Sequence, residues 1–411
     1  MRFGMLYEHT VTRPWGPDTE YQRYQEALDQ VELADKVGID YVWIVEHHFL
    51  EEHAHSSAPE VFLGACSQRT KRIRMGHGIV ALPIPYNHPV RVAERISTLD
   101  LVSNGRVEFG TGETSSDVEL GGFNISRDEK NAMWRESLEV ITRMLVEEPF
   151  LGYEGKYLQI PVRNVVPKPR QKPHPPLWLA CSRLEQIKIA ARHGLGALTF
   201  GFVSPEEARK WSNEYYRILA EECEPIGAVI NPNIAFTALL LCDTNRERAQ
   251  RLGAENLLFL KYCTDHFYFH GKHEPGKTKL WEMYKNTPGA GTAVEGTSAV
   301  ITGTPQDARE ALRIWRDTGI DQIIVLTQCG NMPHEATCRS IDLLGREVMP
   351  EFREEEEKRL REKEARVAPF IERAMKRRKP PRIPRHDGPT IITAVGGYGG
   401  IYPGASQDSK P

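Results

Sequence analysis

Short apolar runs alternate with longer amphipathic segments along most of the chain, a pattern typical of repeated strand and helix units. Residues 2–6 are predicted to form a strand, and residues 21–37 carry apolar side chains at helical spacing. Gly38 is predicted to cap the C-terminus of that helix. The same alternation predicts eight strands in all, over residues 2–6, 41–45, 73–82, 107–110, 177–180, 197–200, 233–242 and 322–326.

Regular strand–helix repeats could build either a closed (β/α)₈ TIM barrel or an open doubly wound sheet. The first predicted strand is not followed by a GxGxxG turn, and the alternation extends over about 340 residues, the size range that a single barrel reaches. We therefore expect an α/β protein whose residues 1–352 form one (β/α)₈ barrel. The last helix is predicted to begin at the N-cap Thr304, with Pro305 in its first position.

Two segments depart from this alternation. Residues 263–299 have poor periodicity and an aromatic cluster at 267–269, which predicts a long loop excursion near the barrel mouth. Residues 353–379 are dense in both charges and predict a solvated helical extension, broken near Pro369. Residues 380–411 are rich in Pro and Gly, which predicts an arm on a partner subunit or a disordered tail.

Composition narrows the function classes. The 411 residues carry a formal charge of -3, so no basic field favours nucleic acid or an anionic membrane, and small-molecule chemistry is expected. The seven cysteines are scattered and contain no CxxC pair, which argues against a disulfide framework and a zinc ribbon. Without a signal-like N-terminus or an apolar run of roughly 18 residues, a cytoplasmic protein is expected.

The first candidate motif is Glu46-His47-His48-Phe49, directly after the second predicted strand, where a barrel presents side chains at its catalytic face. Histidine is the natural acid or base near neutral pH, and a neighbouring carboxylate could hydrogen-bond its ring. The alternatives are structural hydrogen bonds at a strand end and a metal site that includes acids and histidines of 51–55. No HExxH spacing and no second ligand cluster is present, so no metal is expected.

The second motif is the glycine-rich turn Thr111-Gly112-Glu113, after the fourth predicted strand. As a nucleotide-binding motif it is weak, because a single GxG most often marks a tight turn. Its glycines would nevertheless let the backbone approach a flat ring or a phosphate closely.

The third motif is Cys181-Ser182-Arg183, between the fifth predicted strand and the next helix. Backbone N–H groups, a hydroxyl and a guanidinium at this position could hold a phosphate. A plain helix N-cap followed by a surface arginine explains the same residues equally well.

The three motifs and the segments around them, in this order along the chain, resemble the bacterial-luciferase-like family of flavin-dependent monooxygenases and coenzyme-F420-dependent reductases. The resemblance covers roughly residues 1–352, and it implies a TIM barrel with reduced FMN at the C-terminal ends of the strands. The motifs that support the resemblance are VEHHF (45–49), IVALPIPYNHPVRVAERISTLDLVSNGRVEFGTG (79–112), PPLWLACS (175–182), AARHGLG (190–196), GTPQDAREALRIWRDTGIDQIIVL (303–326) and REVMPEF (346–352).

Carried over by position, the resemblance makes His47 the catalytic histidine beside the flavin, with Glu46 supporting the flavin ring edge and His48 as a neighbour. It places a non-prolyl cis peptide bond at Gly78-Ile79, behind the flavin. Ser182 and Arg183 fall in the phosphate-binding turn.

One position departs from the family pattern. Luciferase itself has an arginine at or near the position of Glu113. The resemblance therefore predicts that this chain holds the flavin phosphate differently or binds the flavin less tightly.

The predicted activity is that of a two-component monooxygenase, which receives FMNH₂ from a separate NAD(P)H:flavin reductase and uses O₂ to oxygenate a small apolar or aromatic substrate. No nicotinamide motif is visible in the chain, which is why a partner reductase is implied. The alternatives are an F420- or NAD(P)H-linked hydride-transfer enzyme of the same fold and a non-catalytic flavin-binding barrel. A homodimer is expected, through the helices at 58–68 and 90–101.

Overall fold

The computed structural model describes residues 1–201, 203–288, 290, 299–385 and 390–392. Its strands are β1 (Arg2–Tyr7), β2 (Tyr41–Ile44), β3 (Arg74–His77), β4 (Val80–Ala81), β5 (Val107–Gly112), β6 (Tyr153–Glu154), β7 (Gln159–Ile160), β8 (Leu177–Cys181), β9 (Gly196–Thr199), β10 (Ile234–Cys242), β11 (Val300–Gly303) and β12 (Gln322–Leu326). Its helices are α1 (Thr19–Val37), α2 (Pro59–Arg69), α3 (Pro89–Val102), α4 (Asp117–Gly122), α5 (Lys130–Met144), α6 (Leu184–Arg192), α7 (Pro205–Glu221), α8 (Arg246–Asp265), α9 (Leu280–Lys285), α10 (Pro305–Arg316), α11 (His334–Leu343), α12 (Met349–Arg353) and α13 (Glu356–Lys376).

Eight parallel strands close into a barrel. Strands β1, β2, β3, β5, β8, β9, β10 and β12 pair in this order, and β12 returns to pair with β1. Side chains alternate between the interior, where the rings of Trp43 and Trp178 meet at 5.3 Å, and the outer face, where Phe3 and Phe109 join the core beneath the helices. The predicted (β/α)₈ TIM barrel is confirmed.

The third predicted strand is interrupted where it reaches the barrel mouth. Strands β3 and β4 replace the single strand predicted over 73–82, and the Gly78-Ile79 peptide bond between them is cis, as the resemblance implied. The backbone passes close to β5 here, since a Cβ on Gly110 would lie 1.9 Å from the carbonyl oxygen of His77. Glycine is required at that position.

The segment predicted as a loop excursion contains regular structure. Helix α8 continues to Asp265, a π-helical turn covers His266–His270, and α9 follows. Aromatic side chains stabilise this arrangement, because Phe259, Phe267 and Tyr284 pack with Leu50 in a small core of their own. Strand β11, absent from the prediction, pairs with the end of β10 outside the closed barrel.

The predicted break at Pro369 is wrong. Helix α13 runs through that residue without interruption. Pro369 is exposed, so water can hydrogen-bond the carbonyl that its missing N–H leaves free. The helix is also more than a solvated extension, because Val367 and Ala374 are buried and Lys363 Nζ lies 2.7 Å from Asp321 Oδ1 at the start of β12.

Most of the predicted arm at 380–411 lies outside the described residues. Its described portion contacts the barrel at Arg382, whose carbonyl oxygen accepts a hydrogen bond of 3.1 Å from Arg143. Where the structure describes the chain, no helix is both long and apolar enough to cross a membrane. All seven cysteines are free thiols.

Candidate active site

A histidine and two carboxylates meet at the C-terminal end of the barrel. His47 follows β2, Glu8 follows β1, and Glu119 comes from the short helix α4. His47 Nδ1 lies 3.1 Å from Glu119 Oε1, and His47 Nε2 lies 3.7 Å from Glu8 Oε2. The two imidazole nitrogens therefore face two different acids.

The pKa values of the three groups are perturbed together. Burial would lower the pKa of His47, but the charge of Glu119 and its hydrogen bond, together with Glu8 and Glu46, outweigh burial and raise that pKa to about 9. Burial raises the pKa of Glu8 to about 6 in spite of His47. Burial would also raise the pKa of Glu119, but His47 and hydrogen bonds from Thr114 and the His48 amide lower it below its ordinary value. A protonated His47 beside an ionised Glu119 is the stable state at neutral pH.

Glu119 is the main site residue that sequence reasoning missed. Its carboxylate is almost fully buried and accepts hydrogen bonds from the His48 amide at 3.0 Å and from Thr114 Oγ1 at 2.7 Å. It lies 72 residues from His47, in the short helix α4 that no motif marks. Glu8 was missed too, although its place at the end of the first strand was a usable signal.

Glu46 and His48 form the second layer of this site. Glu46 accepts hydrogen bonds from the Ala81 amide and from Asn87 Nδ2, both at 2.8 Å, and one oxygen lies 3.2 Å from His48 Nε2. The carboxylate thus ties the end of β2 to the segment after β4. Its role at a flavin ring edge stays a prediction.

Residues after β3 and β5 form one wall of the mouth. The side chain of Ile79 lies against Gly112, where a Cβ would be only 2.8 Å from two of its carbon atoms. Thr111 next to it is buried, donates to the Trp178 carbonyl oxygen and accepts from Trp134. Gly112 therefore leaves room for the Ile79 side chain at the end of β5, whereas the Thr111 side chain supports the fold.

Lys130, at the start of α5, is a basic residue that lies against the glycine-rich turn at 111–113 and that the sequence motifs did not include. Lys130 Nζ lies 3.3 Å from Glu113 Oε1 and donates to the Thr114 carbonyl oxygen at 2.6 Å. Burial lowers the pKa of Lys130, Glu113 opposes that effect, and the nearby charges of Arg127 and Arg183 lower it further. Lys130 and Arg183 thus lie close enough for the charge of one to influence the other.

The three residues of the predicted turn differ in what they expose. Cys181 is buried in the core, with Sγ 3.3 Å from the Leu179 carbonyl oxygen, and burial raises the pKa of its thiol. Ser182 is exposed, and its amide and hydroxyl contact Gln186 Oε1 at 2.8 and 3.0 Å. Arg183 is exposed at the start of α6. Only Ser182 and Arg183 present side chains to solvent.

An aromatic wall, formed by His48, Phe49, Tyr86 and Phe123, borders the mouth. The rings of Tyr86 and Phe123 lie 4.2 Å apart, and that of Phe123 lies 4.9 Å from His48. Phe49 is 54% exposed, an unusual state for so large an apolar side chain next to a site.

A lid, formed by residues 266–285, covers the mouth from the side of α8. The ring of Tyr268 reaches within 6.5 Å of His47. Glu52 accepts hydrogen bonds from the Leu280 and Trp281 amides, and Glu51 accepts one from the Gly276 amide at 2.7 Å. Two acids that directly follow the EHHF motif thus anchor the lid.

Comparison with known proteins agrees with this architecture. Residues 1–322 match the model of the luciferase-like monooxygenase family. The oxygenase component of a flavin-dependent trigonelline monooxygenase from Acinetobacter baylyi is 25% identical over 362 residues, which are 86% of this chain and 96% of that protein. An F420-dependent glucose-6-phosphate dehydrogenase from Amycolatopsis mediterranei is 29% identical over 42% of this chain and 52% of its own length.

Among solved structures, the monooxygenase RslO1 of Streptomyces bottropensis superposes with a TM-score of 0.68 at 25% identity. The match covers 86% of this chain and all of that one. The relatives thus include both flavin monooxygenases and an F420-dependent oxidoreductase, on one fold. On the strength of a family match that spans most of the barrel, the chain belongs to the luciferase-like monooxygenase family.

Proposed function

We propose that this protein is the oxygenase component of a two-component monooxygenase, using FMNH₂ from a separate NAD(P)H:flavin reductase and O₂ to oxygenate a small apolar or aromatic substrate. The observation that carries the proposal is the pair of His47 and Glu119 at the barrel mouth, with 3.1 Å between Nδ1 and Oε1. Flavin-dependent relatives favour a flavin cofactor, and this pair would supply a proton-transfer group beside it.

The residues present fit a flavin mononucleotide. The lack of a side chain at Gly112 lets Ile79, next to the cis peptide bond, pack against the end of β5. Ser182, Arg183 and Lys130 provide a hydroxyl and two cationic groups near the start of α6, a donor set suited to a phosphate. Lys130 would thereby compensate for the acid at position 113.

His47 would move the proton that the reaction requires. Reduced FMN, when bound, supplies two electrons, so that one atom of O₂ enters the substrate and the other leaves as water. His47 is protonated and held by Glu119, and its Nε2 can donate to the departing oxygen. Glu8, 3.7 Å from that nitrogen, then exchanges protons with the imidazole.

The lid and the aromatic wall would select the substrate and exclude water. Tyr86, Phe123 and Phe49 present ring faces and edges rather than charges to the mouth, which favours an apolar or aromatic compound. The anchored lid would shield the reacting centre from bulk water. We place the enzyme in the cytoplasm, because its free thiols suit a reducing compartment.

Replacement of His47 by Ala tests this function. We expect substrate oxygenation to fall by about 10²–10⁴-fold, the usual contribution of a general acid or base, while FMNH₂ affinity changes far less. The matched control is His55→Ala, which removes a half-buried histidine that pairs with Glu20 at 2.7 Å, outside the pair with Glu119.

The readouts are oxygenated product, flavin affinity and melting temperature, measured with supplied FMNH₂ and a substrate panel. Activity of His47→Ala within about threefold of the wild type would refute the catalytic role. Hydride transfer from reduced F420 or NAD(P)H without O₂ uptake would instead identify the alternative dehydrogenase-type chemistry. Flavin binding without any turnover would identify a binding protein.

A further inference from the structure

We infer that Glu8, His47 and His53 bind one divalent transition-metal ion of the zinc type at the barrel mouth. This inference does not rest on the proposed flavin chemistry. The sequence predicts no metal, because it contains no HExxH spacing and no second ligand cluster. Glu8 comes from the end of β1, whereas the two histidines belong to the segment after β2.

The three ligand atoms already form a compact triangle. His47 Nε2 lies 3.7 Å and His53 Nε2 lies 3.9 Å from Glu8 Oε2, and the ligand atoms of the cluster all lie within 4.8 Å of one another. Zinc bonds to nitrogen and oxygen are about 2.0–2.2 Å, so two ligand atoms of one tetrahedral ion lie about 3.3–3.6 Å apart. Side-chain movements of under about 1 Å would close the triangle on an ion.

A buried atom without a hydrogen-bond partner points into this triangle. Glu8 Oε2 has no partner among the described residues, although the Glu8 side chain is only 9% exposed. Its neighbours are the two imidazole nitrogens, both beyond hydrogen-bond distance. A buried carboxylate oxygen without a hydrogen bond is costly, and coordination to a cation is one way to satisfy it.

The surroundings favour a cation at this point. His47 is oriented by Glu119 through Nδ1, at 3.1 Å, which leaves Nε2 toward the triangle. A carboxylate behind a ligating histidine is a recurrent feature of metal sites, where it fixes the ring and raises its basicity. Glu8 and Glu119 together also place two acidic groups next to the site, whereas no lysine or arginine forms an ion pair with either in the described part of the chain.

Two imidazoles and one carboxylate define the class of ion. This donor set suits Zn²⁺, Fe²⁺ or Co²⁺ better than Mg²⁺ or Ca²⁺, which prefer oxygen ligands. Three protein ligands leave further positions open to water or an added ligand. An ion there would displace the proton from His47 Nε2, the atom proposed above to donate it, and release it to solvent, so Zn²⁺ would act as an inhibitor of that chemistry.

The test is calorimetric titration of the chelator-treated full chain with ZnCl₂ in the absence of flavin. We expect one Zn²⁺ per chain, and a loss of affinity of more than about 10-fold in Glu8→Gln and in His53→Gln. Glu119→Gln, which keeps all three ligands, should lose about 10–100-fold through the orientation of His47. Co²⁺ should give a visible absorption band in the wild type that Glu8→Gln weakens.

The controls separate this site from other histidine clusters. His273→Gln disrupts a contact between His273 Nε2 and Glu51 Oε1, at 3.2 Å in the lid, and should leave Zn²⁺ affinity unchanged. Absence of Zn²⁺ binding at millimolar concentration, or equal affinity in the wild type, Glu8→Gln and His53→Gln, would overturn the inference. Melting temperatures measured in the presence of chelator identify any variant that does not fold. If only one of Glu8→Gln and His53→Gln folds, the Zn²⁺ affinity of that variant decides whether the site exists. Because binding is the readout, the outcome is independent of whether the protein oxygenates a substrate.

Discussion

Replacing Glu52 by Gln should loosen the lid without dismantling the barrel. The Glu52 carboxylate is fully buried and accepts hydrogen bonds from three backbone amides, those of Arg13 at 2.7 Å, Trp281 at 3.3 Å and Leu280. Two of these amides begin α9, where a negative charge also meets the positive end of the helix. Gln keeps the size of the side chain but removes the charge and turns one acceptor into a donor.

The expected loss of stability in Glu52→Gln follows from the number of hydrogen bonds that the Glu52 carboxylate accepts. Hydrogen bonds to a charged group contribute about 1.5–3 kcal/mol each, and at least one of the three is lost while a second is weakened. We therefore expect a local destabilisation of about 2–4 kcal/mol, confined mainly to α9 and the turn before it. A shift of that size raises the open population of the lid by about 30- to 1000-fold.

Amide hydrogen exchange of Leu280 and Trp281 measures this effect directly, with urea unfolding as the global readout. The matched control is Glu282→Gln, an exposed acid on α9 that lies 3.4 Å from Lys279 and should change stability by no more than about 0.5 kcal/mol. Exchange rates in Glu52→Gln equal to those of the control would show that the carboxylate does not anchor the lid.

Three further predictions concern the barrel and its assembly. Gly110→Ala should destabilise the protein by several kcal/mol, because the new Cβ would lie 1.9 Å from the His77 carbonyl oxygen. Gly121→Ala is the control, since a Cβ there would meet open space. Urea unfolding measures both variants, and equal stabilities would contradict the predicted clash. Burial lowers the pKa of His77 from 6.5 to about 4, so the unfolded chain binds a proton at a higher pH than the folded protein does. The free energy of unfolding should therefore fall by up to about 3 kcal/mol as the pH drops from 6.5 to 4. His77→Gln should show a smaller loss in urea unfolding over that range, and an unchanged pH dependence would exclude His77 as its source. The homodimer through α2 and α3 stays a prediction, and its interface would have to cover Val61 and Val102, which are 70% and 50% exposed. Light scattering should give the dimer mass for the wild type and the monomer mass for Val61→Asp, and a wild-type monomer at micromolar concentration would refute the prediction.

The sequence by itself determined the architecture and the position of one catalytic candidate. Strand and helix periods are local properties, so the eight barrel strands, the left-handed Gly38 cap and the N-cap Thr304 were all predicted from short segments and are present. His47 was found for the same reason, since it directly follows a recognisable strand. Its resemblance to a family motif then added the expected chemistry.

The tertiary structure alone decided which groups surround that histidine. Glu8, His53 and Glu119 converge on His47 from the segments after β1, β2 and β5, and the pairing of β1, β2, β3 and β5 as neighbours brings the ends of these strands together. Local sequence also does not predict the continuous helix through Pro369, because a helix accepts an internal proline most readily when the proline lies on its exposed face, and the packing of α13 determines that face. Local propensity specifies what each segment can form, whereas long-range packing specifies which side chains meet, and the chemistry of this site depends on the second.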